Sequence, residues 1–529
     1  MPMIHLLAPG DQQATANLVA SALARSCGQD LLRPSGYAEL RDAAAPGSAW
    51  VLIDPRPEWT AAIARLLQAR HKLLVFGHVS PPLAEMLQMH CEPLSPALQA
   101  AAACAPAPSF ASSESAGRVV YGPQAVQRIA GHAPAVAERA LRRYDFTDEW
   151  NNLGFGAIAS DGSPWALAQL VKLRPEHQLA SVEANGQTLS AYAGLWTGAN
   201  SSLLWFNRSA GPIDSQEWRL VEDFLSCHRP DELPCWPVLA EVPRGFDAAV
   251  SMRLDCDEDI ESARALWKTY QEQQVPFSLA LHSKVLADPT QHRLPREVLA
   301  AGGALLSHTA THAPDWGGSY AAAFEEGQTS ADAIREATGA SVRYAVSPFH
   351  QTPVYARLGL ADAGYSGCIG GIIRNDFDFL MARSGVPPQS APGFIGHSQQ
   401  CMLHGDCMLA DGDPLRTFKQ AFDMACAGGA FFGYLDHPFS ERYQYGWVDE
   451  AQRIAAHVEL ITHMRRRGRV LFVNEQQCMD FLLDRAQTRV QAVPGGFRIT
   501  PPATPRTPLP MQLRYRGQSL PVPAGGLLS

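Results

Sequence analysis

The sequence lacks any apolar run long enough to cross a membrane. Although 46% of its 529 residues are hydrophobic, no stretch approaches the roughly 18 to 20 consecutive apolar residues that a membrane helix needs. The chain also starts without a basic residue ahead of its short apolar segment Ile4 to Leu7, so the charged head of a secretory signal is missing. We therefore expect no membrane span and a cytoplasmic location.

The chain has no excess of positive charge. Its 43 Lys and Arg residues are outnumbered by 52 Asp and Glu residues, which gives a formal net charge of -9. Such a surface repels the phosphate backbone of DNA or RNA. We therefore expect no nucleic acid partner.

The cysteines show no pairing pattern. There are 11 of them, an odd number with irregular spacing, which is typical of small buried thiols that stay reduced. A disulfide framework is not expected, which agrees with a cytoplasmic location.

The length exceeds what one hydrophobic core supports, because single cores stop growing at about 250 to 300 residues. A proline-rich stretch at 228–245 reads as a boundary between domains. We predict a first domain at 1–235, a second at 245–488 and a small β appendage at 489–529.

The first domain shows apolar runs that alternate with alanine-rich helical stretches, the pattern of a parallel sheet covered by helices. These strand candidates are Ile4 to Leu7, Trp50 to Ile53, Leu73 to Phe76 and Leu203 to Phe206. The segment from Trp205 to Ser215 resembles the end of a class I glutamine-amidotransferase-like fold, but the nucleophile elbow Gly-x-Cys-x-Gly of that family is missing. The resemblance implies a flavodoxin-like or amidotransferase-like domain, and we expect it to be non-catalytic.

From Phe246 onward the alternation of strands and helices becomes regular, which predicts a (β/α) barrel. The strand candidates are Ala249 to Leu254, Phe277 to Leu281, Ala304 to Ser307, Val342 to Val346, Phe431 to Leu435 and Val470 to Val473. Beyond Ala486, short alternating segments such as Phe497 to Ile499 and Gln512 to Tyr515 predict the β appendage.

Polar side chains follow four of these strand candidates. They form the segments Asp255 to Asp259, Ser307 to His312, Ser347 to His350 and Asp436 to Pro438. Because the carboxyl ends of barrel strands meet at one rim, we expect these segments to lie close together.

The residue types at this rim suit metal-assisted hydrolysis. One carboxylate and two imidazoles leave part of a zinc coordination sphere open for water, whose pKa then falls to about 7. His308 and His312 are four residues apart and can face one ion. A second carboxylate can accept the proton of the water, and an imidazole opposite can protonate the departing amine. Asp255 and His437 fit these two roles.

These residues resemble the polysaccharide deacetylases with a NodB homology domain, also called carbohydrate esterase family 4, over about half of the chain. The segment from His308 to His312 matches the family motif His-Ser/Thr-x-x-His, and Leu435-Asp436-His437 matches its Leu-x-His motif. The resemblance implies a distorted barrel of NodB type with His308 and His312 as metal ligands and His437 as catalytic acid.

The sequence departs from this family at two motifs. Cys256 separates the two aspartates that are adjacent in the family; we assign Asp255 as base and Asp257 as ligand, while an exchange of the two stays open and Asp259 is a third candidate. Val346 stands where the family has an arginine that orients the base. Arg253 and Arg343 are the two candidates to replace it.

Further side chains near the motifs are candidates for contact with the substrate. We predict this role for Pro348, Phe349, Trp316 and Asp406. The aromatic rings are of the kind that stacks on sugar faces.

Together these features predict a hydrolase of carbon-nitrogen amide bonds that removes N-acetyl groups from hexosamine units of a polysaccharide or related glycan. The expected cofactor is a divalent metal, first of all Zn²⁺, and Co²⁺, Ni²⁺ or Fe²⁺ suit the same ligands. One alternative is a deacetylase of a small acetylated sugar or nucleotide sugar. Another is a carbohydrate-binding protein with decayed catalytic machinery, motivated by Val346. The sequence does not define the oligomeric state.

Overall fold

The structure is a computed structural model with a mixed α/β architecture. It describes residues 2–43, 46–96, 117–130, 138–141, 167–184, 187–212, 217–350, 352–371, 384–399, 401–403, 413–440, 444, 446–522 and 526–528. Among these residues, no helix is both long and apolar enough to cross a bilayer.

The first part of the chain forms the following elements. The strands are β1 Ile4–Leu7, β2 Leu32–Pro34, β3 Ala49–Ile53, β4 His71–Phe76, β5 His90–Glu92, β6 Gly117–Tyr121, β7 Glu138–Leu141, β8 Leu170–Lys172, β9 Gln178–Ala184, β10 Gln187–Thr197 and β11 Ser201–Phe206. The helices are α1 Gln13–Cys27, α2 Tyr37–Arg41, α3 Thr60–Gln68, α4 Pro81–Met86, α5 Pro123–Ala130 and α6 Trp218–Ser226.

The second part continues with these elements. The strands are β12 Val238–Leu239, β13 Ala248–Cys256, β14 Ser278–Leu281, β15 Ala304–Ser307, β16 Tyr344–Val346, β17 Gly367–Gly371, β18 Ile395–Gln399, β19 Cys401–Met402, β20 Phe431–Asp436, β21 Val470–Val473, β22 Arg489–Val493, β23 Gly496–Thr500, β24 Gln512–Tyr515, β25 Gln518–Pro521 and β26 Leu527–Leu528. The helices are α7 Arg264–Glu272, α8 Arg293–Ala300, α9 Tyr320–Thr338, α10 Val354–Asp362, α11 Arg416–Gly428, α12 Glu450–Arg465 and α13 Glu475–Gln487.

The first large sheet has the strand order β2-β1-β3-β4-β11-β10-β9-β6-β7. The strands from β2 to β11 in this order pair in parallel, and the remaining pairs are antiparallel. The expected parallel sheet is therefore only half of the observed one. Its central strands β3, β4 and β11 are fully buried, because hydrophobic clusters cover both faces. The flavodoxin-like or amidotransferase-like fold of this part stays a prediction.

The second large sheet is parallel throughout and has the order β18-β17-β16-β15-β14-β13-β20-β19, with β21 also paired to β13. Its two edge strands, β18 and β19, are consecutive in the chain and are separated by residue 400 alone. A sheet whose edges are joined so closely must curl round on itself. This curled parallel sheet is consistent with the expected NodB-type barrel.

Each strand predicted for the barrel is present, but the two-residue β19 was not predicted, and neither were β17 and β18. Their sequences, Gly-Cys-Ile-Gly-Gly and Ile-Gly-His-Ser-Gln, contain few of the β-branched and aromatic residues that mark strands. Burial inside a parallel sheet overrides this weak propensity.

Helix α13 closes the end of the barrel opposite the predicted rim. The side chain of Asn474 caps the helix by accepting from the Gln477 N–H, and its amide donates to the Gly302 carbonyl just before β15. The Glu475 N–H donates to Ser278 Oγ at the first residue of β14. The apolar face of α13 then packs on the barrel interior.

The C-terminal strands do not form a separate core. Val490, Phe497, Ile499, Leu513 and Tyr515 belong to the same hydrophobic cluster as α1 and α6 of the first part. Strand β24 also pairs with β12, which lies in the predicted linker. The segment after 488 is thus a β structure, as expected, but it packs as part of the first core, while the domain boundaries stay a prediction.

We expect Phe497→Ala to destabilise the first core and not only the C-terminal strands. Phe497 is buried and its ring meets Tyr515 edge-on, so its truncation costs about 3 to 5 kcal/mol through lost burial and a cavity. Denaturant unfolding followed by tryptophan fluorescence measures this loss. Leu527→Ala is the control, because that side chain is 59% exposed and its loss costs about 0.5 kcal/mol or less. Equal stability of the two variants would contradict the shared core.

Candidate metal centre

Strand β13 brings three charged side chains to the interior and rim of the barrel. Side chains alternate along a strand, so Arg253 and Asp255 point to the same interior face, and Asp257 follows where the strand ends. Arg253 donates to Asp255 through Nε–H to Oδ1 at 2.7 Å and through Nη2–H to Oδ2 at 3.2 Å. This two-pronged contact holds the carboxylate in one orientation.

The Arg253 guanidinium keeps Asp255 ionised. Burial by itself raises the pKa of this carboxyl group, but the positive charge of Arg253, together with His308 and His437, lowers it well below its usual range. Arg253 and Arg343 were the two candidates to replace the arginine that orients the base in the family. It is Arg253 that contacts Asp255, the expected base. Arg343, just before β16, pairs instead with Asp480 of α13 at 2.9 Å, at the end of the barrel opposite the rim.

Asp257, His308 and His312 meet at the rim. His308 Nε2 lies 3.3 Å and His312 Nε2 3.9 Å from Asp257 Oδ1. One candidate ligand atom from each of the three residues lies within 4.8 Å of the other two. Neighbouring ligands of a zinc ion with bonds of about 2.0 to 2.1 Å are about 3 to 3.5 Å apart, so small side-chain shifts complete such a site.

The hydrogen bonding of His308 favours a cation at this position. Its Nδ1 lies 3.3 Å from the Val346 carbonyl oxygen and donates to it, which leaves the lone pair of the neutral ring on Nε2. That lone pair faces Asp257 Oδ1, an acceptor, and two acceptors repel each other. A metal ion or a proton between them removes the repulsion. The surrounding carboxylates raise the pKa of His308 against the opposing effect of burial, so the site favours positive charge.

The loop that carries the two histidines is held in a strained conformation. Thr309 has φ 67° and His312 φ 54°, in the left-handed region that non-glycine residues rarely adopt. Glu326 of α9 accepts hydrogen bonds from the N–H groups of Ala310 and Thr311, and Thr309 Oγ1 accepts from the His312 N–H. These contacts maintain the backbone that turns His312 back toward His308.

His437 lies on the opposite side of Asp257, with its Nε2 3.8 Å from Asp257 Oδ2. Its backbone is fixed at both ends. The Asp436 carboxylate accepts from the His437 N–H at 2.8 Å, and Arg453 donates to the His437 carbonyl at 2.7 Å. Asp436 in turn accepts from His457 Nε2 at 2.8 Å within the buried interior.

The residues expected to contact the substrate differ in their exposure. Phe349 is 42% exposed and its ring centroid lies 4.9 Å from that of His312, so it presents a free face beside the site. Trp316 is fully buried and its indole N–H donates to Thr352, so the expectation that it stacks on a sugar is corrected. Pro348 is also buried and supports the loop instead of facing outward. Asp406 lies outside the described residues.

Two histidines at the site received no role from the sequence. His282 follows β14, and its Nδ1–H donates to the Asp257 backbone carbonyl at 2.9 Å. His350 is buried with φ 62°, and burial together with the nearby Arg253 lowers its pKa to about 3. Their positions, one residue after β14 and four residues after β16, are the feature that identifies both.

The first sheet also has a cleft at the carboxyl ends of its parallel strands, lined by Asp54, His78 and Ser209 among others. Burial raises the pKa of Asp54, whose carboxylate accepts from Ser209 Oγ at 2.8 Å. The Ser209 hydroxyl is therefore directed to a carboxylate and not to an imidazole. The non-catalytic character of this part stays a prediction.

No protein-family model matches the chain, and no curated protein matches it. Among solved structures, it is similar to Agd3, described as a novel carbohydrate deacetylase, with 12% identity, coverage of 100% of this chain and 97% of that one, and a TM-score of 0.42. It is also similar to a family 4 acetyl xylan esterase from Clostridium thermocellum in complex with a cobalt ion, with 12% identity, 44% and 90% coverage and a TM-score of 0.30. An allantoinase matches with 14% identity, 46% and 92% coverage and a TM-score of 0.34. Because these identities and TM-scores are low, conclusions about function rest on the side chains of this chain.

We expect Arg253→Met to destabilise the protein by about 3 to 5 kcal/mol, because it leaves the buried Asp255 carboxylate without its cation. Arg335→Met is the matched control: it removes an exposed pair with Asp332 and costs about 1 kcal/mol or less. Denaturant unfolding measures both. In the double variant Arg253→Met/Asp255→Asn, the buried carboxylate is also neutralised. If the two residues are coupled, this variant should recover most of the free energy of unfolding that Arg253→Met loses. Strictly additive losses would show that Arg253 acts independently of Asp255.

Proposed function

We propose that this chain is a metal-dependent hydrolase that removes N-acetyl groups from hexosamine units of a polysaccharide or related glycan. The observation that carries the proposal is the grouping of Asp257, His308 and His312 between an arginine-held carboxylate, Asp255, and an imidazole, His437. Hydrolysis of an amide needs these three parts together: a site for an electrophilic cation, a base and an acid.

Each part has a separate role. Bound by Asp257, His308 and His312, a divalent cation would polarise the amide carbonyl and lower the pKa of water to about 7. Asp255 accepts the proton of the attacking water, because Arg253 keeps its carboxylate ionised and correctly turned. His437 donates a proton to the departing nitrogen from the other side of Asp257, with its backbone fixed by Asp436 and Arg453. The products are acetate and a free amine.

The nitrogen and oxygen ligands of this site suit zinc, and cobalt, nickel or iron(II) as further candidates. An acetylated sugar as substrate is supported by the motifs shared with the polysaccharide deacetylases and by the exposed ring of Phe349 next to His312. A flat apolar ring at this position can cover the C–H face of a hexose while the acetamido group reaches the cation.

The alternative of a binding protein with decayed machinery loses its motivation. That alternative rested on Val346 in place of the base-orienting arginine. Arg253 supplies a guanidinium to Asp255 from the same strand, so the expected base has its orienting partner. A small acetylated sugar or nucleotide sugar remains the second candidate substrate, and it shares the same chemistry.

We expect the zinc-loaded protein to release acetate from N-acetylated hexosamine oligomers, and His308→Ala or His312→Ala to lose one metal ion per chain together with this activity. Asp255→Asn should keep the metal and lose about 100-fold or more in kcat, the usual contribution of a positioned base. Elemental analysis and an acetate assay measure both quantities. His90→Ala, an exposed histidine of β5, is the control and should change neither.

Three results separate the possibilities. Loss of the metal in Asp255→Asn would show that the two aspartates exchange roles. Metal binding without acetate release from any acetylated hexosamine, polymeric or soluble, would overturn the proposed reaction. Faster release from monomers or nucleotide sugars than from polymers would favour the second candidate substrate.

A further inference from the structure

The interior of the barrel contains a second group of buried polar side chains below the rim. Along β13 the inward positions are 251, 253 and 255, and each residue adds about 3.3 Å, so Ser251 lies about 13 Å below Asp255. Ser251, Arg253 and Asp255 are all buried. The column of polar groups therefore continues from the rim toward the closed end.

Helix α13 brings two further groups to this closed end. Glu475 and Cys478 are three residues apart, so they share one face of the helix, and both are 0% exposed. Helix α13 packs against β13, β15 and β18. The hydrogen bond from the Glu475 N–H to Ser278 fixes the first turn of the helix at the barrel floor.

His397 approaches the same point from β18. It is 2% exposed, and its Nε2 lies 3.3 Å from the Phe431 carbonyl oxygen. With a hydrogen on Nε2 donated to this carbonyl, the lone pair of the neutral ring lies on Nδ1. Among the described residues, Nδ1 is buried without a hydrogen-bond partner. A buried lone pair without a partner is costly unless a ligand uses it.

We propose that His397, Glu475 and Cys478 bind a second divalent cation of the zinc type, with a structural role at the closed end of the barrel. One nitrogen, one oxygen and one sulfur atom of these residues lie within 4.8 Å of one another. Imidazole, carboxylate and thiolate are the three side-chain types that zinc prefers.

The balance of charge favours such a cation. Cys478 and Glu475 are both fully buried, so their charge must be balanced inside the site. On binding, the sulfur–metal bond forms and the S–H proton leaves to solvent, as metal ligation by cysteine requires. The thiolate and the Glu475 carboxylate then carry two negative charges against two positive ones, so the buried site is neutral.

The two sites differ in what they can do. The rim site is partly exposed, because the side chains of Asp257 and His312 keep 17% and 25% of their surface accessible, so it can exchange water. The deep site joins α13 to β18 with all three residues buried, so it suits a closed structural site. A cation there must enter before the barrel floor closes. This inference is independent of the reaction proposed for the rim.

Elemental analysis of zinc-loaded protein tests the inference. We expect two zinc ions per chain in the unaltered protein, one in His308→Ala/His312→Ala and one in Cys478→Ser. Cys27→Ser removes a buried thiol of the first core and serves as the matched control, which should keep two. A chelator should remove the rim ion from the native protein and the deep ion only after unfolding.

Cobalt provides a second measurement, which can first be made on the unaltered protein. The rim site offers no sulfur ligand, so a thiolate-to-cobalt charge-transfer absorption in the refolded, cobalt-loaded protein reports the deep site. We expect this absorption in the unaltered protein, in His308→Ala/His312→Ala and in Cys27→Ser, and its loss in Cys478→Ser. A cobalt-loaded protein without the absorption, or an absorption that Cys478→Ser leaves unchanged, would overturn the inference, as would no bound zinc in His308→Ala/His312→Ala.

Discussion

The arrangement of the barrel interior depends on the buried ion pair between Arg253 and Asp255. A carboxylate at 2% exposure stays charged only beside a compensating cation, because transfer of an unpaired charge from water to the interior is very costly. Here the cation is two residues away on the same strand, so the alternation of β13 sets the orientation of both groups. The same strand then delivers Asp257 to the rim. One strand thus supplies the proposed base, its orienting partner and the proposed ligand.

The imidazoles at the rim require a second constraint, which comes from the backbone. Left-handed conformations at Thr309 and His312 cost about 1 to 3 kcal/mol each, and they persist only where surrounding contacts enforce them. Glu326 supplies those contacts from α9 by accepting the loop N–H groups. The strain at Thr309 and His312 lies in the loop that carries both histidines, and a relaxed loop would turn His312 away from Asp257. Strain at this loop and the ion pair on β13 together determine the spacing between carboxylate and imidazoles.

The sequence allowed the barrel strands and their polar ends to be predicted, because apolar runs followed by His or Asp are local features. Arg253 was recognised only as one of two candidates, since its contact with Asp255 depends on which face of the strand turns inward. Strands β17 and β18 were not predicted, because their glycines and polar residues are typical of a loop when burial is not known. Trp316 was misassigned because local sequence does not show whether an aromatic ring faces the cleft or the core. His282 was overlooked because its only mark is its place after β14.

Burial, with a smaller contribution from Arg253, keeps two interior histidines neutral. Burial lowers the pKa of His397 to about 4 and that of His350 to about 3, and the positive charge of Arg253 lowers both further than burial alone. These rings are therefore neutral at physiological pH and carry one lone pair each. The interior then holds one permanent cation next to Asp255, while neutral imidazoles provide ligand or hydrogen-bonding atoms around it. Had the His350 ring been charged, it would have competed with Arg253 for the Asp255 carboxylate. The guanidinium thus keeps the base ionised, while burial together with its charge keeps these two imidazoles available as acceptors.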